Sequence, residues 1–178
     1  MFALDRITED GKKAIVSLLN KSLEIEYAFI FNYPRLIHQL VNIERIPQES
    51  VVKKLEFLGK ESVQHASWIM RLIEDLGGES QLPFEVLSGM IDIPSLLLKQ
   101  LDKEKLAQSL FQQAKRVAEQ SQAKGILVKM KMMGVGSRDM FKERSRTIRL
   151  LERLEIDEGR HIKLVQNMIS ELNLPVQQ

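Results

Sequence analysis

Apolar residues recur at spacings of three and four along four long stretches of the chain, the period of a helix that buries one face. These stretches predict helices over about 8–43, 48–77, 102–133 and 138–173. Few breakers interrupt them, since the chain holds only five prolines. Gly77-Gly78 supplies a stop for the second helix, and Leu82-Pro83 and Asp92-Ile93-Pro94 fall between the second and third. Gly134-Val135-Gly136-Ser137 separates the last two, with Ser137 placed to act as an N-cap. No stretch alternates with β-branched enrichment, so no strand is expected, and there is no repeat or low-complexity tract.

Short turns join helices one to two and three to four, so each pair is expected to be an antiparallel hairpin. More than twenty residues separate the second helix from the third, enough to run the length of a bundle. The expected fold is all-α: an antiparallel four-helix bundle with a long crossover between helices 2 and 3, in one domain spanning 1–178.

Polar residues break the apolar seams at particular places. The fourth seam reads Ile148, Leu151, Leu154, Glu158, His161, Val165, Met168, Leu172. The second reads Leu58, Ser62, His65, Ile69, Leu72, Leu76, with Glu61 on its shoulder. The first gives Ile15, Glu26, Ile30, Tyr33, Ile37 and Leu40 with Ser22 in line; the third, less regular, gives Leu106, Leu110, Gln113 and Val117. A lone carboxylate in a core costs several kcal/mol unless something pairs with it. A divalent cation resolves the conflict, because it accepts both carboxylate oxygen and imidazole nitrogen. Glu158 and His161, three apart, point their ends at one place. The competing reading is a core histidine bonded to a backbone carbonyl. His38 reads as an ordinary surface or rim residue, and Tyr33 and Trp68 as packing.

Composition narrows the class. Hydrophobic residues make up 44% and charged residues 28%, a globular balance. The net charge of +2 gives no case for nucleic acid. The absence of cysteine excludes disulfides and thiolate-held metals and suits a reducing cytoplasm. The N-terminus lacks a signal-peptide pattern and no apolar run nears the roughly 20 residues of a spanning helix. A cytoplasmic protein is expected, with metal ions as partners, no nucleic acid, no membrane, and a homodimer left open.

The residues resemble the ferritin-like superfamily, and bacterioferritin in particular. Glu26-Tyr27-Ala28-Phe29-Ile30-Phe31-Asn32-Tyr33 is similar to its first-helix motif, which implies Glu26 as a terminal metal ligand. Gln64-His65-Ala66 with Ile69-Met70-Arg71-Leu72-Ile73 resembles the second-helix segment, and Ile156-Asp157-Glu158-Gly159-Arg160-His161-Ile162 the fourth-helix Glu-x-x-His. The resemblance implies a buried two-metal site, yet Ser62 stands where it expects the bridging glutamate of helix two. Gln113 falls where the third-helix glutamate is expected, so two of six ligands are missing. Glu61, four residues before His65, can replace the lost acid, and Asp157 stands in the same relation to His161. There is no rubredoxin-like tail, Val63 takes the haem-ligand position, and the seventeen residues after His161 are too few for a fifth helix. Met130, Met132, Met133 and Met140 mark the last hairpin tip, with packing preferred over a partner surface.

The metal set implied is Glu26, Glu61, His65, Glu158 and His161, holding one or two iron ions, with manganese or zinc as alternatives. Two functions compete. One is ferrous iron oxidation by dioxygen or peroxide at an incomplete site; the other is a non-enzymatic bundle used in partner binding or metal sensing.

Overall fold

The computed structural model describes residues 7–42, 49–81, 93–133 and 145–172. They form four helices: α1 (Glu9–Asn42), α2 (Glu49–Asp75), α3 (Ile93–Met133) and α4 (Arg146–Glu171). Among the described residues there is no strand, and no helix is long and apolar enough to cross a membrane. α1 packs on α2 and α3, and α4 packs on α3 and α2, the pattern of a bundle.

Local chemistry sets the ends. At the end of α2, Gly77 adopts φ +76, its N–H donates to the Glu74 carbonyl, and Gly78 N–H donates to the Ile73 carbonyl. This reciprocal pair is a Schellman motif, and its left-handed residue favours glycine. α4 starts at Ser145, whose hydroxyl accepts from the Ile148 N–H. Ser145 is therefore the cap of the described α4; Ser137 lies outside the described residues, as does the packing expected of the methionines at the hairpin tip. α3 begins at Ile93, nine residues before the expected start at 102, because Pro94 falls in the first turn, where its missing N–H has no helical partner to lose. The connection from α2 to α3 is accordingly 76–92, shorter than expected.

The seams on α2 and α4 bury the residues expected of them, with Leu172 partly exposed at the end. On α1, Ile15, Glu26, Tyr33 and Leu40 are buried while Ile30 and Ile37 are half-buried, and His38 is exposed. α3 departs from the expectation in part: Leu110 is buried and Val117 half-buried against the core as expected. Leu106 is 52% exposed and Gln113 is exposed, donating to the Ser109 hydroxyl, so neither faces the core. The buried face instead runs through Leu97, Gln100, Glu104, Ala107, Phe111, Ala114 and Ala118. Its small alanines give a weak apolar signal, which hides Glu104 from a reading of large apolar residues.

Candidate metal centre

Each helix brings one turn of polar residues to the same level of the core. On α1, Glu26 follows Leu19 and Leu23 and precedes Phe29 and Tyr33 on the buried face. On α2, Ser62 and His65 lie between Leu58 and Ile69; on α4, Glu158 and His161 lie between Leu154 and Val165. On α3 the inward acid is Glu104. All six side chains are essentially inaccessible to solvent.

The two imidazoles stack with ring centroids 5.3 Å apart and face a common carboxylate. His65 Nδ1 lies 3.0 Å from Glu158 Oε1 and 3.2 Å from Glu26 Oε1. His161 Nδ1 lies 3.7 Å from Glu158 Oε2 and 3.4 Å from Glu104 Oε2. Ligand atoms of His65, Glu158 and His161 all fall within 4.8 Å of one another. The result is two half-sites of one imidazole and one carboxylate each, sharing Glu158 between them.

Each outer nitrogen faces an acid, one at hydrogen-bond distance and one at longer range. His161 Nε2 lies 2.9 Å from Glu61 Oε2, and His65 Nε2 lies 3.5 Å from Asp157 Oδ2. Each acid stands four residues before the histidine of its own helix yet serves the histidine of the other. Arg160 ties the two acids together, with Nη2 2.8 Å from both Glu61 and Asp157. A carboxylate on one imidazole nitrogen keeps the proton there and leaves the other nitrogen free as a ligand, the usual support for a metal-binding histidine. Glu61, expected to face the metal, thus sits on the far side of the His161 ring. Tyr33, expected to be packing alone, donates its buried hydroxyl to Glu104 Oε1 at 2.7 Å.

The donor set fits a cation. Among the described residues Glu26 Oε2, Glu104 Oε2, both Glu158 oxygens, Ser62 Oγ and the Gln100 amide are buried without a hydrogen-bond partner. Glu158 is close to both histidines, but no N–H is aimed at its oxygens. Unpaired buried oxygens on three acids are costly, and a bound divalent ion removes the cost at one stroke. With N and O donors and no thiol, the set suits iron, manganese or zinc.

Without a cation, protons balance the charge. Burial and the Glu158 charge push Glu26 up to about 7, and burial carries Glu104 up to about 8. Burial alone would lower both histidines; the negative charges of Glu158 and Glu26 beside the ring, with the Glu26 hydrogen bond, outweigh it and raise His65 to about 10. Glu104 and Glu158 likewise raise His161 to about 11. Burial works against the Glu158 charge too, but His161 and His65 hold it well below the usual carboxylate range.

Glu26, His65, Glu158 and His161 come together as the seams suggested, and Ser62 faces them. Gln113 does not, since it lies on the exposed face of α3; the acid that α3 turns inward, 3.4 Å from His161 Nδ1, is Glu104. Glu104 was hidden in the run Asp102-Lys103-Glu104-Lys105, which reads as a solvated face. The signal that could have found it is the spacing of Gln100, Glu104, Ala107 and Phe111. A scan against models of known protein families finds no match, and a search of curated proteins finds no similar sequence.

Proposed function

We propose that the protein is a ferritin-like metal-binding protein whose core takes up to two iron ions, one at Glu26 and His65, the other at Glu104 and His161, with Glu158 shared. The observation that carries this reading is the convergence of both Nδ1 atoms on one buried carboxylate whose oxygens have no hydrogen-bond partner. Pairings along the helices support an antiparallel bundle. Asn20 meets Glu79 while Glu26 meets His65; Thr8 meets Ser121 while Tyr33 meets Glu104. Ser50 meets Glu171 while Glu61 meets His161. Gly78, after α2, lies near Val16 early in α1, whereas α3 begins toward the other end of α1, which supports a crossover along the bundle.

Iron held there would supply electrons to dioxygen or peroxide. The chain's own residues do the rest. Glu61 and Asp157 keep a proton on each Nε2, Tyr33 orients Glu104, and Arg160 holds Glu61 and Asp157 at a fixed separation. Ser62 supplies no second bridging acid, so three carboxylate charges face two divalent ions, and the second ion binds more weakly than the first.

The test is metal analysis of protein purified without chelator, then anaerobic ferrous titration of the metal-free form. Binding of one to two ions per chain, lost in His65→Ala and His161→Ala, is expected. Stability should rise with metal concentration in the parent only. Equal binding by parent and variants would sink the proposal.

A further inference from the structure

A concavity rimmed by charged side chains over an apolar floor of Trp68, Leu72 and Leu150 lies on the outer side of the α2–α4 seam, a groove of about 340 Å³. Its charge comes from sequence spacing. Arg146, Arg149 and Arg153 recur at three and four on α4, so they share one face. Trp68, Arg71 and Asp75 repeat the same spacing on α2, and the two triplets line the groove together. Four guanidinium groups against one lining carboxylate leave a local charge of about +3 in a concavity of small-ligand size.

Three of the arginines are uncommitted. The guanidinium groups of Arg71, Arg146 and Arg149 have no ion pair or hydrogen-bond partner among the described residues. Only Arg153 is engaged, lying over the Trp68 ring at 4.4 Å and 3.8 Å from Asp157. Like charges gathered around one hollow repel unless an anion joins them. Thr147 also lines this groove, and its buried hydroxyl has no hydrogen-bond partner among the described residues.

From this we infer that the groove is a binding site for a small phosphate-bearing molecule, its oxyanion held by Arg71, Arg146 and Arg149. Guanidinium groups match phosphate oxygens two at a time, and two to three negative charges would neutralise the site. The volume suits one small ligand and is too small for a nucleic acid strand. The inference is independent of the metal centre, since none of these arginines is a proposed ligand.

Trp68 is the only tryptophan of the chain and lies in the groove, so it reports directly. The full chain would be titrated with inorganic phosphate and with glucose 6-phosphate, ionic strength held constant with sodium chloride, reading Trp68 fluorescence and, independently, heat by calorimetry. A saturable response to either phosphate is expected. It should weaken at least tenfold in Arg149→Glu and in Arg71→Glu, while Lys13→Ala, on a concavity beside α1, leaves it unchanged. Both arginines are exposed, so the variants should keep the parent's helical circular dichroism. Four results would overturn the inference. They are a response that merely tracks ionic strength, binding retained in both reversed-charge variants, binding of tricarballylate but of neither phosphate, and binding only of an oligonucleotide.

Discussion

Loading the centre with metal at pH 6 should release about two protons per ion bound. In the metal-free protein Glu26 and Glu104 titrate near 7 and 8, and His65 and His161 near 10 and 11, so all four hold a proton at pH 6. Glu158 is already ionised there. Each half-site must shed one carboxyl proton and one imidazolium proton before its oxygen and Nδ1 can both act as ligands. By proton linkage the metal association constant should climb about 100-fold per pH unit below pH 7. Near pH 9 the carboxyls have ionised, release falls to about one proton per ion, and the climb slackens to about tenfold per unit. Stability of the metal-free chain runs the other way. All four folded pKa values are raised above their ordinary 4.5 or 6.5, so the stability they contribute is complete at low pH and is lost as pH rises through each folded value. Glu158 opposes this only in acid, because its lowered value adds stability above about 4.5. Zinc, which has no redox chemistry, is the suitable probe. Calorimetry in two buffers of different ionisation enthalpy counts the protons. Release below about one proton per ion at pH 6 would refute the reasoning, because binding to ionised surface acids frees none.

Four substitutions extend the test. Ser62→Glu should weaken the metal-free fold, because an unpaired buried acid costs several kcal/mol, and should tighten the second ion; Gln113→Glu, on the exposed face, should stay within about 0.5 kcal/mol of the parent in urea unfolding. Tyr33→Phe leaves Glu104 Oε1 without its donor and should cost about 1–3 kcal/mol in the same assay. Gly11→Ala would place a methyl group 2.2 Å from Ser121 Oγ, at the Thr8–Ser121 tie, and should lower the thermal midpoint by a strain of about 1–3 kcal/mol.

The helices were legible because their apolar period runs through large residues. On α2 and α4 the seams are leucine- and isoleucine-rich, so His65, Ser62, Glu158 and His161 stood out as interruptions. α3 buries alanines and a polar turn instead, and Leu106 on its outer face sets a seam with Leu110 that runs on to the exposed Gln113 and passes Glu104 by. The outward turn of Glu61 was not legible, because spacing of four places an acid near its own helix's histidine but says nothing of the neighbouring helix. Only the packing of α2 on α4 brings Glu61 to His161 and Asp157 to His65. The beginning of α3 was missed because Pro94 reads as a breaker, although in a first turn it is a starter.

Anomalous scattering from crystals loaded anaerobically with ferrous iron tests the central claim most directly. Two peaks are predicted in the core, one beside His65 Nδ1 and Glu26, the other beside His161 Nδ1 and Glu104, with Glu158 between them and the first peak to fill appearing at lower iron. Peaks confined to surface acids, with the space between the two imidazoles free of iron, would contradict it.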